Sequence, residues 1–454
     1  MPIQSLHTGY SGLRVAQIGI DTTSNNVANA NTEGYTRQRV DQRQLPTIDI
    51  IAGRLGTGVE VEDITGARDL FLDARVRDAR SQTAGHTANA ELLARAEGLL
   101  GDPDYGITAA LDDLWNGIED LSLDPSDAGK RTAVINDLEV VAARFNAIAE
   151  GMDDLVADTG TQLTTQLADI NLVIDEIAEL NGSIQQVIAS RSTPNDLLDR
   201  RNLLLDTLSE ELGVHVTQLD NESVRVSLNG LALVDGQSTR HVSWDATNLE
   251  LLHESGTTLR AGGSIGGFQN FIVDDAAAIN NQLDQLAIDI HDAMNTRHAA
   301  GFVDSGVAGG TLYSYDVADP ARTLATTIAS IDDLAVSAVD ATPFPVHNGD
   351  NARYMAALRG DPVGAGSKIL LESARGLVTE IGGRTAQAQA AAAANADLQL
   401  SAELQRSGTT GVNIDEEMVS LITYQRAYEA AARVITAADQ ALDTLINRTG
   451  IVGR

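Results

Sequence analysis

The sequence predicts a mainly α-helical protein with a long, coiled-coil-like helix at each end of the chain. Only 4% of its 454 residues are aromatic, whereas Ala and Leu, both strong helix formers, are abundant. Apolar residues recur at alternating spacings of three and four in several long stretches, which is the pattern of a narrow helical seam. Alternation typical of strands is confined to one short region near the middle of the chain.

The N-terminal helix is expected to begin at about Ile3. Asn29, Asn31 and Gly34 supply residues that break helices, and the chain from Val40 onward is expected to be extended. The seam of this helix includes six apolar residues, which we predict to be assembly contacts. They are Ile3, Leu6, Tyr10, Leu13, Ile20 and Val27.

The C-terminal helix has the same stepping, and Asn413 with Glu416 is typical of a capping pair at its start. Its predicted assembly residues are Ile414, Met418, Leu421, Tyr428, Ala432, Ile435, Leu442 and Ile446. A helix with a narrow apolar seam needs a partner, and the simplest partner for each terminal helix is the other. We therefore expect the two ends of the chain to pair.

The middle of the chain is expected to form a helical bundle. Two helical seams, at 134–155 and 163–188, are one residue out of phase, and a kink or local rewinding is expected where they meet at Thr159 and Gly160. A further helix is predicted at 195–212, and another resumes near Phe268.

A small antiparallel β patch is predicted at about 213–260, where Val224, Val226 and Leu228 alternate and Asn229 with Gly230 marks a hairpin turn. Residues 301–366 are richer in Gly, Pro and Asp, which indicates a small inserted domain. Helix is expected again from Leu370 to Leu404, ended by breaks at Gly408 and Gly411.

These elements predict three domains. Residues 1–33 with 412–454 form a terminal helical core domain. Residues 34–300 with 367–411 form a helical domain that includes the β patch, and residues 301–366 form a small inserted outer domain.

Composition excludes several classes of partner. The chain has 64 Asp and Glu against 31 Lys and Arg, a formal net charge of -33, which repels nucleic acid and anionic membranes. Without Cys, the chain has no disulfide, thiolate nucleophile or Cys-ligated metal. The segment 1–15 lacks the basic and apolar regions of a signal peptide, and no segment approaches about 18 consecutive apolar residues, so neither a cleavable signal nor a membrane span is expected.

No residues are predicted to be catalytic, or to bind a cofactor or a metal. His291 and His298 have no carboxylate at ligand spacing, which favours ordinary surface or interface histidines. The glycine cluster at 262–267 matches no phosphate-binding motif and is better interpreted as a tight turn that lets the next helix pack closely. Residues 348–351 lack the remainder of a calcium loop and are interpreted as a turn.

The stretch 25–38, NNVANANTEGYTRQ, follows the N-terminal helix and resembles the signature shared by the axial (rod, hook and hook-associated) proteins of the bacterial flagellum. The residues that carry this motif are Asn25, Asn26, Asn29, Asn31, Gly34 and Tyr35. Within the family, the hook-associated members are most similar to this chain. Their C-terminal helix resembles 411–445, GVNIDEEMVSLITYQRAYEAAARVITAADQALDTL. Their central helical motif is similar to 195–208, NDLLDRRNLLLDTL.

The resemblance implies a structural flagellar subunit, not an enzyme, that joins hook to filament outside the cell and needs no cofactor. It implies unfolded export through the flagellar type III channel, a cytosolic chaperone on the C-terminal helix, and polymerisation through the terminal helices. The implied partners are copies of the chain itself in a ring, the hook protein, and the next hook-associated protein towards the filament.

The main alternative is a secreted hydrolase or adhesin that carries borrowed axial termini, but such a protein needs a site that the sequence does not show. Flagellin is a nearer competitor, yet 25–38 is not its N-terminal pattern. Hook and rod proteins share that pattern but have mostly β middles, against which the helices at 134–188 argue.

Overall fold

The computed structural model describes residues 2–50, 53–101, 106–340, 348–363 and 369–448. Its helices are α1 (Pro2–Ala28), α2 (Leu70–Leu100), α3 (Ile107–Leu123), α4 (Ala128–Ala189), α5 (Asn195–Leu212), α6 (Gly263–Asn270), α7 (Ala276–Ala299), α8 (Pro320–Thr323), α9 (Asp350–Ala357), α10 (Leu370–Thr410) and α11 (Ile414–Asp443). Its strands are β1 (Gln38–Gln44), β2 (Ile48–Ile50), β3 (Gly53–Leu55), β4 (Val59–Gly66), β5 (His215–Gln218), β6 (Val224–Leu228), β7 (Leu231–Asp235), β8 (Ser238–Thr239), β9 (Val242–Asp245), β10 (Glu250–His253), β11 (Thr258–Leu259), β12 (Tyr313–Ser314) and β13 (Ala325–Thr326). The predicted mainly α fold with small antiparallel sheets is confirmed.

The two terminal helices, α1 and α11, pack against each other, as their narrow seams predict. Asn413 caps α11, its side chain accepting a hydrogen bond from the backbone N–H of Asp415 at 3.0 Å. The second half of the predicted capping pair is wrong, because Glu416 bonds to Arg37 at 2.8 Å instead of turning back to the cap. An ion pair thus replaces a local hydrogen bond at the start of α11.

The phase slip predicted in the central helix occurs within one continuous element, α4. Thr159 Oγ1 donates to the Leu155 carbonyl at 2.6 Å, and Thr164 Oγ1 donates to the Gly160 carbonyl at 2.8 Å. Such hydroxyl bonds share the carbonyls of the helix ladder and often bend helices. They concentrate where the two seams meet, and both seams contribute buried residues such as Phe145.

The β patch forms two sheets, one in the order β5-β6-β7-β8 and one in the order β11-β10-β9. In the hairpin between β6 and β7, Asn229 and Gly230 have φ values of 50° and 84°. Positive φ at both positions is the geometry of the tight hairpin turn that the Asn-Gly pair predicts. Val224, Val226 and Leu228 are buried, which explains their alternation.

Several features differ from the sequence expectations. The helices α2 and α3 are additional to those predicted, and the helix expected near Phe268 begins earlier, at Gly263. The helix α10 continues through Gly408 and ends at Thr410. A single glycine lowers helix stability by only about 1 kcal/mol, which the flanking helix formers offset.

The chain divides into two compact units, each described here by itself. The first unit comprises Met1–Gln82, Asp169–His241 and Asn395–Arg454, and the second comprises Thr83–Ala168 and Val242–Ala394. The three-domain division expected from the sequence stays a prediction. Within the described ranges, no helix is both long enough and apolar enough to cross a membrane.

In the second unit the glycine cluster at 262–267 allows close packing, because a Cβ atom on Gly267 would collide with the carbonyl of Gly85 in α2. His298 is not a surface histidine, as its side chain is buried, and the expectation of surface or interface histidines is wrong for this residue. The turn expected at 348–351 leads into α9, where the backbone N–H of Asp350 donates to Asn348 Oδ1 at 2.7 Å.

Candidate assembly interface of the terminal helices

Small residues set the contact between α1 and α11. A Cβ atom added at Gly19 would lie 2.5 Å from the ring of Tyr424, and one added at Gly9 would lie 2.9 Å from Ile435 Cγ1. These pairs run in opposite directions along the two helices, so the helices are antiparallel. Because glycine has no side chain, the Tyr424 ring and Ile435 can pack directly on the backbone of α1.

A second face of α1 packs on the β1–β4 hairpin. Ser11 is buried at this contact, where its hydroxyl donates to the Thr8 carbonyl at 2.8 Å and accepts from the backbone N–H of Val59 at 3.3 Å. Val15 is buried as well. The N-terminal helix is therefore held on two sides, by α11 and by the hairpin that follows it in sequence.

Asn26 joins three segments at the end of α1 and is only 1% exposed. Its Nδ2 donates to the Gln38 carbonyl at 2.8 Å and to Glu417 Oε2 at 3.0 Å. Its Oδ1 accepts from the Tyr35 hydroxyl at 2.8 Å and from the Gln38 N–H at 3.0 Å. All four hydrogen bonds that an amide side chain normally makes are present, which fixes the relative positions of α1, β1 and α11.

The buried carboxylate of Glu417 is neutralised by Arg37. Arg37 Nε lies 2.7 Å from Glu417 Oε1, and its Nη1 lies 2.8 Å from Glu416 Oε2. A buried carboxylate is tolerated only with such charged and hydrogen-bonding partners. Burial, together with the negative charges of Asp199 and Glu417, raises the pKa of Tyr35 to about 12, so its hydroxyl keeps the proton that it donates to Asn26.

The remaining motif residues shape the turn between α1 and β1. Asn29 Nδ2 donates to Asn25 Oδ1 at 2.8 Å, and Gly34 adopts φ 75°, a value that glycine accepts readily. Asn31 is exposed, as is Gly34. The motif thus acts as a structural clamp, with Asn26 and Tyr35 inside it and the others at its surface.

A further anchor attaches this turn to α5. Asp199 accepts hydrogen bonds from the Thr36 hydroxyl at 2.6 Å and from Arg68 Nη2 at 2.6 Å. Thr36, Arg68 and Asp199, like Arg37 and Glu417, are not among the functional residues predicted from the sequence. Each pairing joins residues far apart in the chain, so no local spacing marks it.

The predicted assembly residues are partly accessible. Those that are half-buried in the chain are Leu6, Leu13, Ile20, Val27, Leu421, Ala432, Ile435 and Leu442. Those that are exposed are Tyr10, Ile414, Met418, Tyr428 and Ile446. The side chain of Ile3 lies outside the described residues. These residues keep accessible surface after the single chain has folded. Their role in assembly stays a prediction.

The helix α11 exposes more apolar surface than the predicted seam alone. Val419, Ile422 and Val434 are also exposed, as is Leu445 in the π-helical segment Thr444–Arg448 that follows α11. Among the described residues of α11, only Glu417 and Ala438 are buried. A helix that is apolar on two faces, one of them uncovered, is typical of an element that packs against another molecule. Counting the apolar residues on every face of α11 in the sequence would have found this second group. Following one seam with spacings of three and four misses it.

The contacts described at the terminal helices are packing contacts, hydrogen bonds and ion pairs. Over the part of the chain that the structure describes, no group of three or more His, Asp or Glu side chains is arranged to hold a metal ion. At the start of α11, Glu416 and Glu417 both pair with Arg37.

Three family models match successive parts of the sequence. The model described as flagella basal body rod protein matches residues 6–36. The model described as flagellar hook-associated protein FlgK helical domain matches residues 93–313. The model described as flagellar basal body rod FlgEFG protein C-terminal matches residues 406–448. The first and last of these cover the clamp, α1 and α11.

Relatives match over almost the whole chain. The flagellar hook-associated protein 1 of Bacillus subtilis is 29% identical, over 99% of this chain and 99% of the relative. Those of Salmonella typhimurium and Escherichia coli are each 25% identical, over 97% of this chain and 99% of the relative. The solved structure of the flagellar hook junction protein FlgK from Burkholderia pseudomallei is similar with a TM-score of 0.64, at 16% identity, over 74% of this chain and 99% of that chain. At that identity the structural match shows the fold.

Proposed function

Because this chain belongs to the family of flagellar hook-associated protein 1 and is, like its relatives, a structural component of the flagellum and not an enzyme, we propose that it joins the hook to the filament. In this proposal the chain polymerises through its paired terminal helices. The observation that carries the proposal is the apolar surface that α1 and α11 expose after they have packed on each other.

The size of that surface supports assembly. Full burial of one Val, Leu, Ile, Phe or Met side chain contributes about 1.5 to 3 kcal/mol. The exposed apolar residues of the pair include Tyr10, Met418, Val419 and Ile422, and Ile446 is exposed just beyond the end of α11. A neighbouring subunit that covered them would gain several times that amount, from which the cost of ordering the two surfaces is subtracted.

The partners follow from the position proposed for the chain. We propose a ring of copies of this chain, placed between the hook protein and the next hook-associated protein, outside the cell. The terminal helices, residues 1–33 with 412–454, form the core of that ring, and 34–300 with 367–411 surround it. Residues 301–366 form an outer insertion. The small apolar seams of α1 and α11, which leave much of each helix exposed, support this division.

The route of export belongs to the same proposal. The chain travels unfolded through the flagellar type III channel, and a cytosolic chaperone covers α11 beforehand. The exposed residues of α11 support this step, because an apolar helix with two open faces associates indiscriminately unless it is covered.

A deletion strain and two substitutions test the proposal. Cells without the protein are expected to build hooks and to release filament subunits into the medium. Ile446→Asp places a carboxylate at a position that is 72% exposed in the single chain, so the purified chain should melt like the wild type. In the assembled core the same carboxylate leaves water without a partner, at a cost of several kcal/mol per subunit, and filaments should detach.

Gln440→Asp is the matched control, because it adds the same carboxylate at an exposed position of α11 outside the predicted seam. These cells should keep their filaments. Attached filaments in the deletion strain would refute the junction role and favour a hydrolase or adhesin. Normal swimming of Ile446→Asp cells would instead refute the assembly role of this seam.

A further inference from the structure

A cavity of about 360 Å³ lies in the first unit between α2, α5 and the hairpin of β5 and β6. Its walls come from these elements and from Arg68, and the lining does not include α1 or α11. The cavity is therefore separate from the proposed assembly surface. It has no role in the function proposed above.

Three arginines line this cavity, and they differ in their charge partners. Arg68 bonds to Asp199 at 2.6 Å, and Arg77 bonds to Asp206 at 2.8 Å. Arg201 is 3% exposed, and among the described residues no carboxylate lies within ion-pair distance of its guanidinium. Two of the three guanidiniums thus have a carboxylate in direct ion-pair contact, and that of Arg201 does not.

The hydrogen bonds of Arg201 leave part of its guanidinium unused. Its Nη1 donates to Asn181 Oδ1 at 3.0 Å and to the Glu222 carbonyl at 2.7 Å. Its Nε is buried without a hydrogen-bond acceptor. A guanidinium can donate five hydrogen bonds, and an unmet donor of a buried cation is costly. The site therefore favours a ligand that supplies an acceptor oxygen and a negative charge.

Electrostatics point in the same direction. Burial lowers the pKa of Arg201 to about 10, and the positive charge of Arg68 contributes, although the negative charge of Glu222 opposes the change. The side chain still carries its proton at neutral pH, so a buried cation persists with no carboxylate in direct ion-pair contact. The carboxylates of Asp78 and Glu222 also line the cavity, but both residues are exposed to solvent.

The rest of the wall is largely apolar, with Leu198, Leu205, Val214 and Val216 among the lining residues. We propose that the cavity binds a small monocarboxylate with an apolar body, whose carboxylate meets the guanidinium of Arg201 and whose body lies on these side chains. The one guanidinium without an ion-pair partner matches one negative charge. A dianion such as phosphate would bring a second charge into apolar surroundings, which is unfavourable.

The cavity is large enough for such a ligand. An apolar cavity of about 150 Å³ holds benzene, so a volume of about 360 Å³ accepts an aromatic ring with a short acid chain. The compound 3-phenylpropionate is a suitable probe. Its neutral amide has the same shape without the charge and separates the electrostatic contribution from the fit of the body.

Binding is measured by calorimetric titration of the purified full-length chain with 3-phenylpropionate. We expect Arg201→Gln to weaken binding about tenfold or more, since a hydrogen bond to a charged group contributes about 1.5 to 3 kcal/mol. The neutral amide should bind the wild-type chain more weakly than 3-phenylpropionate does, by a similar factor. Arg200→Gln is the matched control on the same helix, because Arg200 is exposed, pairs with Glu176 and does not line the cavity. It should bind like the wild type.

A second variant keeps the test decisive if Arg201→Gln does not fold. Val214→Phe fills the cavity from its apolar wall and should abolish binding while Arg201 remains. No detectable binding of 3-phenylpropionate to the wild-type chain would overturn the proposal. Three other results would also overturn the proposal. They are binding that survives Val214→Phe, equal binding of the acid and its amide, and displacement of the bound acid by inorganic phosphate.

Discussion

At the residue scale, small and amide side chains fix how closely and in what position the terminal helices pair. Gly9 and Gly19 allow close approach, and Asn26 saturates its hydrogen bonds at the end of α1. Apart from Val15, the large apolar residues of the same helices that the structure describes stay half-buried or exposed. The chain therefore separates residues that pair its own ends from residues available to neighbours.

Asn26→Ala tests the clamp. The substitution leaves the Gln38 backbone groups and one oxygen of Glu417 without their partner in a buried place, and each unsatisfied group costs about 1 to 3 kcal/mol. We expect detached filaments and non-swimming cells. Asn31→Ala is the control, because Asn31 belongs to the same motif and is exposed. Equal swimming of the two variants would show that the clamp is dispensable.

A pH dependence is expected from His298 in the second unit. The ring is a neutral tautomer, because its Nε2 accepts from the Ala335 N–H at 2.9 Å and its Nδ1 donates to the Gly310 carbonyl at 2.7 Å. Burial lowers its pKa below the ordinary 6.5, although the bond to Gly310 and the charge of Asp333 oppose the change. As pH falls through about 6.5 the unfolded chain takes up a proton and the folded chain does not, so stability falls.

Denaturant unfolding measured from about pH 7.5 to about pH 5 checks this sign. For the wild type, the contribution of His298 to the free energy of unfolding should decrease as the pH is lowered, by at most about 1.4 kcal/mol per pH unit. His298→Gln should be less stable at neutral pH but have a flatter profile across this window. Identical slopes for the two chains would mean that His298 titrates alike in the folded and unfolded states.

Sequence patterns locate the motif but do not show which contacts each of its residues makes. The stretch 25–38 is recognisable as a unit, yet only the fold shows that Asn26 is inside the clamp and Asn31 outside. The carboxylate that Asn26 meets, that of Glu417, is 391 positions away. Hydrogen bonding between such distant residues leaves no periodic signal in the chain.

At the element scale, long regular seams were the most predictable features. The bounds of α5 and the extent of α11 follow from spacing and capping residues, and α4 shows that a one-residue slip can be absorbed inside one helix. The helix α3 has a seam of the same kind, from Ile107 to Leu121, so the same rule could have found it. In its second half the helix α2 buries Ala88, Ala90 and Ala96 beside Leu92, Leu93 and Leu100, and the alanines give little periodic contrast.

The pairing of α1 with α11 can be tested with two glycine substitutions. In Gly19→Val the added side chain would start 2.5 Å from the Tyr424 ring, so the helices must separate and filaments should be lost. In Gly12→Ala the nearest atom, the Ala431 Cβ, is 3.8 Å away, which is ordinary contact. The alanine also favours the helix by about 1 kcal/mol. Motility assays should therefore show swimming for Gly12→Ala and none for Gly19→Val, and swimming in both would contradict the close packing.

At the scale of the whole molecule, mutual repulsion opposes the association that the terminal helices favour. The formal net charge of -33 is spread over a chain in which many arginines already pair with carboxylates, as in the Arg77, Asp206 and Arg406 cluster. The excess acidic residues therefore remain uncompensated. Repulsion of this kind keeps free chains soluble and apart, whereas short-range burial of α1 and α11 acts only after contact.

Salt should therefore promote self-association of the purified chain. The Debye length falls from about 30 Å at 0.01 M to about 8 Å at 0.15 M ionic strength, so repulsion between approaching chains weakens while contacts at van der Waals distance do not. Sedimentation velocity in NaCl at these two concentrations should show more oligomer at the higher one. Ile446→Asp, which damages the proposed contact surface and changes the large net charge by only one negative charge, should remain monomeric at both. Less oligomer at the higher concentration would mean that attraction between opposite charges, and not apolar burial, holds the subunits together.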